Sequence, residues 1–296
     1  MKYLINILLI SFIVSNEITF DSSRAYNYIL QQCEFGPRYP GSKGHQQCKE
    51  FLFSELSKYS NETIINAHKI VDPLTSDSVE IYNIFGRINP EKDNRVLLIA
   101  HWDTRRFADK DLNSENHTKP VLGANDGASG VAILLSLIQQ INMKNMGVDI
   151  LLADAEDMGI YGDANTWAIG SRLFSEEYPA PLPQFGICVD MVADKDLKIK
   201  VEEYSYQMAP QLIQYIWNIA SSKGYDNFKF ELGPGIIDDH LSFSSATGIP
   251  SIDLIDLDYE HWHTVNDIPE NISKKSLGIV GSVLLSFLIE MDKSYE

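Results

Sequence analysis

The stretch Val148-Asp149-Ile150-Leu151-Leu152-Ala153-Asp154-Ala155-Glu156-Asp157-Met158-Gly159 decides the fold. Its first half is a short, nearly continuous apolar run, the pattern of a strand buried on both faces of a parallel sheet. Its second half delivers carboxylates at the strand's C-terminal end, where open α/β sheets bind their ligands. An isolated Glu-Asp pair is more often a solvated turn. At a strand end, however, two adjacent carboxylates can divide labour, one holding a cation while its neighbour, pointing the other way, moves protons.

Outward from this run the chain alternates two periodicities. Helical spacing is expected over 22–32, 44–56, 129–141, 210–222 and 274–291, and β-rich runs over 81–88, 95–100, 148–153, 185–189, 199–202 and 251–257. Such alternation predicts an α/β three-layer sandwich around a central mixed, mostly parallel sheet. No internal repeat or Pro/Gly/Ser linker divides the chain, so one domain over 16–296 is expected. The long loops 103–123 and 258–268 both adjoin candidate site residues.

Composition narrows the partners. With 296 residues and 44% apolar content the chain can bury a substantial core, and its net charge of −17 argues against nucleic acid and anionic membrane surfaces. Lys2 followed by an apolar stretch from Tyr3 to Val14 has the order of a secretory signal peptide, expected over 1–15, with an h-region short for a bilayer span. No Cys stands there, so no lipid anchor is expected. The three cysteines are not a disulfide framework: Cys188 lies in an apolar run, and a Cys33–Cys48 pairing after export stays open. Asn61, Asn116 and Asn271 head glycosylation sequons. An acidic, exported chain is expected in the periplasm or secreted.

The other strand ends carry chemistry too. The run 95–100 ends in His101-Trp102-Asp103; Gly123-Ala124-Asn125-Asp126-Gly127-Ala128-Ser129-Gly130 sets Asp126 before an apolar helix; 185–189 ends in Asp190; and 251–257 leads to Trp262-His263-Thr264. His101, Asp126, Asp157, Asp190 and His263 therefore all sit at edges of buried elements, with imidazole and carboxylate donors suited to zinc. Singly, each has an ordinary alternative, Asp126 as a helix cap above all. The small residues flanking Asp126 would let backbone approach a metal closely.

Together with Ala155-Glu156-Asp157 and Asp238-Asp239-His240, these motifs resemble the zinc-aminopeptidase superfamily, most closely its glutaminyl cyclase branch, from about Phe35-Gly36-Pro37-Arg38 to the C-terminus. The resemblance implies a phosphorylase/hydrolase-like fold and conversion of the N-terminal Gln of peptides or proteins to pyroglutamate; a monomer is expected. It further implies one zinc per chain on Asp126, Asp157 and His263, with His101 and Asp190 joining only if a second metal binds. Glu156 maps to the general acid/base, and Asp190 and Asp238 to an acidic network beside it. Trp262 matches an aromatic substrate wall, and Tyr259 and Trp167 are further pocket candidates.

Two residues tilt the choice within the superfamily. Aminopeptidases usually carry Ser where Asp238 stands, and Trp262 suits a cyclase pocket. Two departures stand beside them: animal cyclases have Glu at position 157, and a pocket Trp where this chain reads Ile160-Tyr161-Gly162. A di-zinc aminopeptidase would use the same ligand set, with Glu156 as base for a metal-bound water. A non-catalytic binding domain is the remote alternative, since ligands and general base are all retained.

Overall fold

The structure, a computed structural model, describes residues 19–296, so the expected signal peptide at 1–15 lies outside the described residues. Its strands are β1 (Glu62–Val71), β2 (Ser78–Ile88), β3 (Arg95–His101), β4 (Gly147–Ala153), β5 (Gly186–Asp190), β6 (Ile199–Val201), β7 (Phe228–Leu232) and β8 (Ser251–Ile255). The helices are α1 (Ser22–Glu34), α2 (Lys43–Ser57), α3 (Ala128–Ile138), α4 (Ile169–Glu176), α5 (Glu203–Met208), α6 (Pro210–Ser222), α7 (Asp239–Thr247) and α8 (Lys274–Ser294).

Six strands form the central sheet in the order β1-β2-β4-β3-β5-β8. The pairs β4/β3, β3/β5 and β5/β8 are parallel, whereas β1/β2 and β2/β4 are antiparallel. Every residue of β3, β4, β5 and β8 is buried, which is why these strands read as apolar runs rather than alternating ones. β6 pairs with β7 in a separate two-stranded sheet.

Strand alternation assigns the two faces. Val96, Leu98, Ala100, Val148, Ile150, Leu152, Ile187 and Leu254 pack in the main core with α1, α2, α3, α6 and α8. On the other face Leu97, Ile99, Leu151, Ala153 and Cys188 meet Phe174 of α4 and Phe243 of α7. Helices on both faces of a mostly parallel sheet make the three-layer sandwich. α3 is buried along its whole length, a helix apolar on all sides because it lies inside the thicker helical layer.

Cys33, Cys48 and Cys188 are free thiols, so the open Cys33–Cys48 pairing is not formed. Burial pushes the Cys48 thiol up to about 12. Among the described residues no helix is long and apolar enough to cross a membrane.

Candidate metal centre and active site

Because β3, β4, β5 and β8 run parallel, their C-terminal ends open at one edge. His101 continues the face of Leu97 and Ile99, and Asp190 that of Cys188, so both side chains leave on the α4/α7 side. After β4 the chain turns at Ala155, and His263 lies within the loop that follows β8; both have left-handed φ, 58° and 54°. Non-glycine residues held there cluster at functional sites, where the surrounding structure fixes them.

The five candidate ligands come together. His101 Nε2 lies 3.0 Å from Asp126 Oδ1 and 3.1 Å from Asp190 Oδ1, while His263 Nε2 lies 2.9 Å from Asp157 Oδ1 and 3.5 Å from Asp126 Oδ2. Asp126 thus stands between two histidine–aspartate sets. It does not cap α3: the N-cap is Gly127, without a side-chain bond. A Cβ at Gly127 would come within 2.3 Å of the His101 carbonyl oxygen, so only glycine lets this helix start lie against the histidine.

The residues fit a cation. Asp126 Oδ2 and Asp157 Oδ2 are buried without a hydrogen-bond partner, an arrangement that is costly unless something uses those lone pairs. His101, Asp126 and Asp157 each offer a ligand atom, all within 4.8 Å of one another. Imidazole nitrogen and carboxylate oxygen are the donor set of zinc sites.

Backbone clamps hold this geometry. Asp103 accepts the backbone N–H groups of Glu156 and Asp157, both at 3.1 Å. Asp267 accepts those of Asn125 and Asp126 at 2.8 and 3.1 Å. Arg105 donates to the carbonyls of Asp157 and Gly159, each at 2.8 Å, and pairs with Asp109. Asp109 lies 3.5 Å and the Tyr161 hydroxyl 2.9 Å from His263 Nδ1, partners that orient an imidazole for metal binding.

Negative charge exceeds what these groups can balance. Burial, followed by Asp238, raises the proton affinity of Glu156 well above the ordinary carboxylate range. Burial and Asp157 push Asp126 up to about 7. Burial also opposes ionisation of Asp157, but His263 outweighs it and holds this carboxyl below its ordinary value. Burial works against protonation of His263, yet Asp157 and Asp109 push it up to about 9. A bound cation would relieve this surplus.

Beside the ligands lies a cavity of about 220 Å³. Glu156, Asp190 and Asp238 line it together with the aromatic rings of Tyr161, Trp167 and Trp262. Trp167 lies parallel to His263 at 10°, and Tyr161 meets Trp167 and Trp262 edge-on. A Cβ at Gly159 would fall 1.9 Å from the Trp167 ring, so this glycine gives the indole its place.

The structure corrects Tyr259. It does not line the cavity: its ring packs with Met191 and Ile255, and its hydroxyl donates to Asp267 at 2.8 Å. Position in the loop before His263 suggested the pocket, but the side chain turns inward to the clamp. Sequence reasoning missed Tyr161, Asp109, Arg105 and Asp267 as neighbours of the site. For Tyr161 the signal was present, an aromatic residue where a pocket Trp was expected.

A family model described as Peptidase family M28 matches residues 83–288. Glutaminyl-peptide cyclotransferase from Bos taurus is 21% identical over 296 residues, covering 86% of this chain and 78% of its own. Among solved structures, glutaminyl cyclase from Porphyromonas gingivalis superposes with a TM-score of 0.88 at 35% identity, covering 92% of this chain and 99% of that one. A leucine aminopeptidase precursor from Bacteroides thetaiotaomicron matches with a TM-score of 0.88 at 34% identity, over 92% and 98% of the two chains. Neighbours of equal likeness carry both names, so the choice of activity falls to side chains.

Proposed function

The chain belongs to peptidase family M28, and within it we propose a zinc-dependent glutaminyl-peptide cyclotransferase that converts the N-terminal Gln of peptides and proteins to pyroglutamate with release of ammonia. The observation that carries this reading is the cavity that Glu156, Asp190 and Asp238 line together with Tyr161, Trp167 and Trp262. Those aromatic walls suit the flat carboxamide of one glutamine side chain and limit access by water, the competing nucleophile.

Asp126, Asp157 and His263 would hold one zinc per chain. When bound, it supplies Lewis acidity at the substrate's carboxamide oxygen. Glu156 takes a proton from the α-amine as nitrogen bonds to the carboxamide carbon, and returns it to the departing nitrogen as the C–N bond breaks. Burial and then Asp238 raise its proton affinity, the direction that suits a group which must accept that proton and give it back. Asp190, 3.1 Å from His101, joins Asp238 in the acidic network beside it. Trp262 and Trp167 position the glutamine side chain.

The proposal includes export by the segment 1–15, a single catalytic domain over 16–296, a monomeric state, and a periplasmic or secreted location. One observation favours a second reading. Asp126 lies between the His101/Asp190 and His263/Asp157 sets, an arrangement that supports a two-metal aminopeptidase. Assays on Gln-initiated peptides with metal analysis separate the two. Ammonia release from intact peptides with one zinc per chain is expected; a free amino acid from Leu- or Ala-initiated peptides with two metals would overturn the cyclase.

A further inference from the structure

A groove of about 310 Å³ borders the catalytic cavity. Asn165 and Arg172 line one side of it, and Leu241, Ser242 and Ser245 of α7 the other. Ile237 lines both groove and cavity. On the far wall Trp167 lines the cavity while Ala164 and Asn165, in the turn that leads to it, line the groove. The two depressions therefore adjoin across a shared rim.

We infer that this groove holds the second to fourth residues of the peptide substrate, bound in extended form along α7. This rests on the reading above only in that the cavity takes the peptide's first residue, which either activity requires. At about 220 Å³ that cavity suits one side chain, so the rest of the peptide must leave through the opening. Three extended residues span roughly 10 Å. α7, with nine residues, is about 13 Å long, which is enough to accompany them.

The chemistry of the groove fits main-chain recognition. Ile237 and Leu241 offer apolar contact, and Ser242, Ser245 and the Asn165 amide offer hydrogen bonds to peptide N–H and C=O groups. Arg172 donates to the Asn165 carbonyl at 3.0 Å and braces that wall. Glu176 lies in the same groove, so the lining carries both signs of charge. Recognition by backbone, without net charge, implies tolerance of sequence beyond the first residue.

The test is a length series of Gln-initiated peptides from two to five residues, read as KM and kcat. Adding the third and fourth residues is expected to lower KM about tenfold, with less change in kcat, because a few surface hydrogen bonds are gained. The tetrapeptide-to-dipeptide KM ratio should move toward one in Ser245→Trp, which fills the groove from an exposed turn of α7. A flat length series in the unmodified chain overturns the groove, as does a Ser245→Trp effect of equal factor on both peptides. Leu-initiated peptides of the same lengths separate the two failures. Hydrolysis with the length trend sinks the cyclase and keeps the groove; cyclisation without it does the reverse.

Discussion

Two histidine–aspartate pairs are built from the same end of the central sheet, on opposite faces. On the thicker helical side His45 Nε2 meets Asp154 Oδ2 at 2.7 Å with both side chains fully buried, and the imidazole stacks on Trp102 at 12°. Asp154 also accepts the backbone N–H groups of Tyr82 and Ala155, so both its oxygens are engaged. Three residues on, Asp157 meets His263 at 2.9 Å, but its Oδ2 has no partner and a cavity lies alongside. Residue type is the same in both places. An unpartnered carboxylate oxygen and an opening are what distinguish the binding site from the structural pair.

The largest expected effects break that contrast. Asp157→Asn should lose bound zinc and turnover together, by metal analysis and the Gln-peptide assay, with little loss of fold. Asp154→Ala should do the opposite: zinc retained, and stability lowered by about 3–5 kcal/mol in urea unfolding, because it strands a buried partner. If Asp154→Ala lost zinc at unchanged stability, the two faces would not be separate in function.

Next in size is Glu156→Gln, expected to keep zinc and slow turnover by about 10²–10⁴-fold. Loss of zinc in this variant would reassign Glu156 as a ligand. Smaller again is Tyr161→Phe, which removes the contact to His263 Nδ1 and should weaken zinc binding about 10–100-fold in a chelator titration. An unchanged affinity would leave Tyr161 as cavity wall alone.

The mildest effect is on pH dependence. In metal-free protein His263 is pushed up to about 9, so its contribution to stability is complete below its ordinary value and is lost as pH rises through 9. Asp126, pushed up to about 7, binds a proton in the folded state that the unfolded chain has released, which also makes stability fall as pH rises from the ordinary carboxylate value to 7. Thermal unfolding of chelated protein should therefore weaken from pH 5 to 9 more steeply than that of zinc-loaded protein, whose imidazole must be neutral. Parallel curves would mean that the cluster does not carry the metal.

Much of the architecture was legible because it depends on local pattern. β3, β4, β5 and β8 are buried on both faces, and a run such as Val148–Ala153 has few other uses. β1 was not legible: it is a partly exposed edge strand with polar residues such as Asn66, His68 and Lys69. α7 was hidden by its Asp-, His- and Ser-rich sequence, which has no clear apolar stripe. The run at 199–202 was recognised as a strand, but its pairing with β7 outside the central sheet is a long-range property. The carboxylates at strand ends were visible for the same reason as the strands. Tyr161 and Asp267 act across 102 and 141 residues of chain, and nothing local encodes those contacts.

The two backbone clamps have a kinetic consequence. Asp103 and Asp267 each grip a pair of successive N–H groups, on the peptide segments that bear Asp157 and Asp126. The spacing of these carboxylates is thus set by the main chain before any ion arrives, rather than by side-chain rotamers that must be ordered on arrival. Ion uptake should then require little rearrangement, so reloading a chelated sample should be limited by encounter and dehydration of the ion and not by refolding.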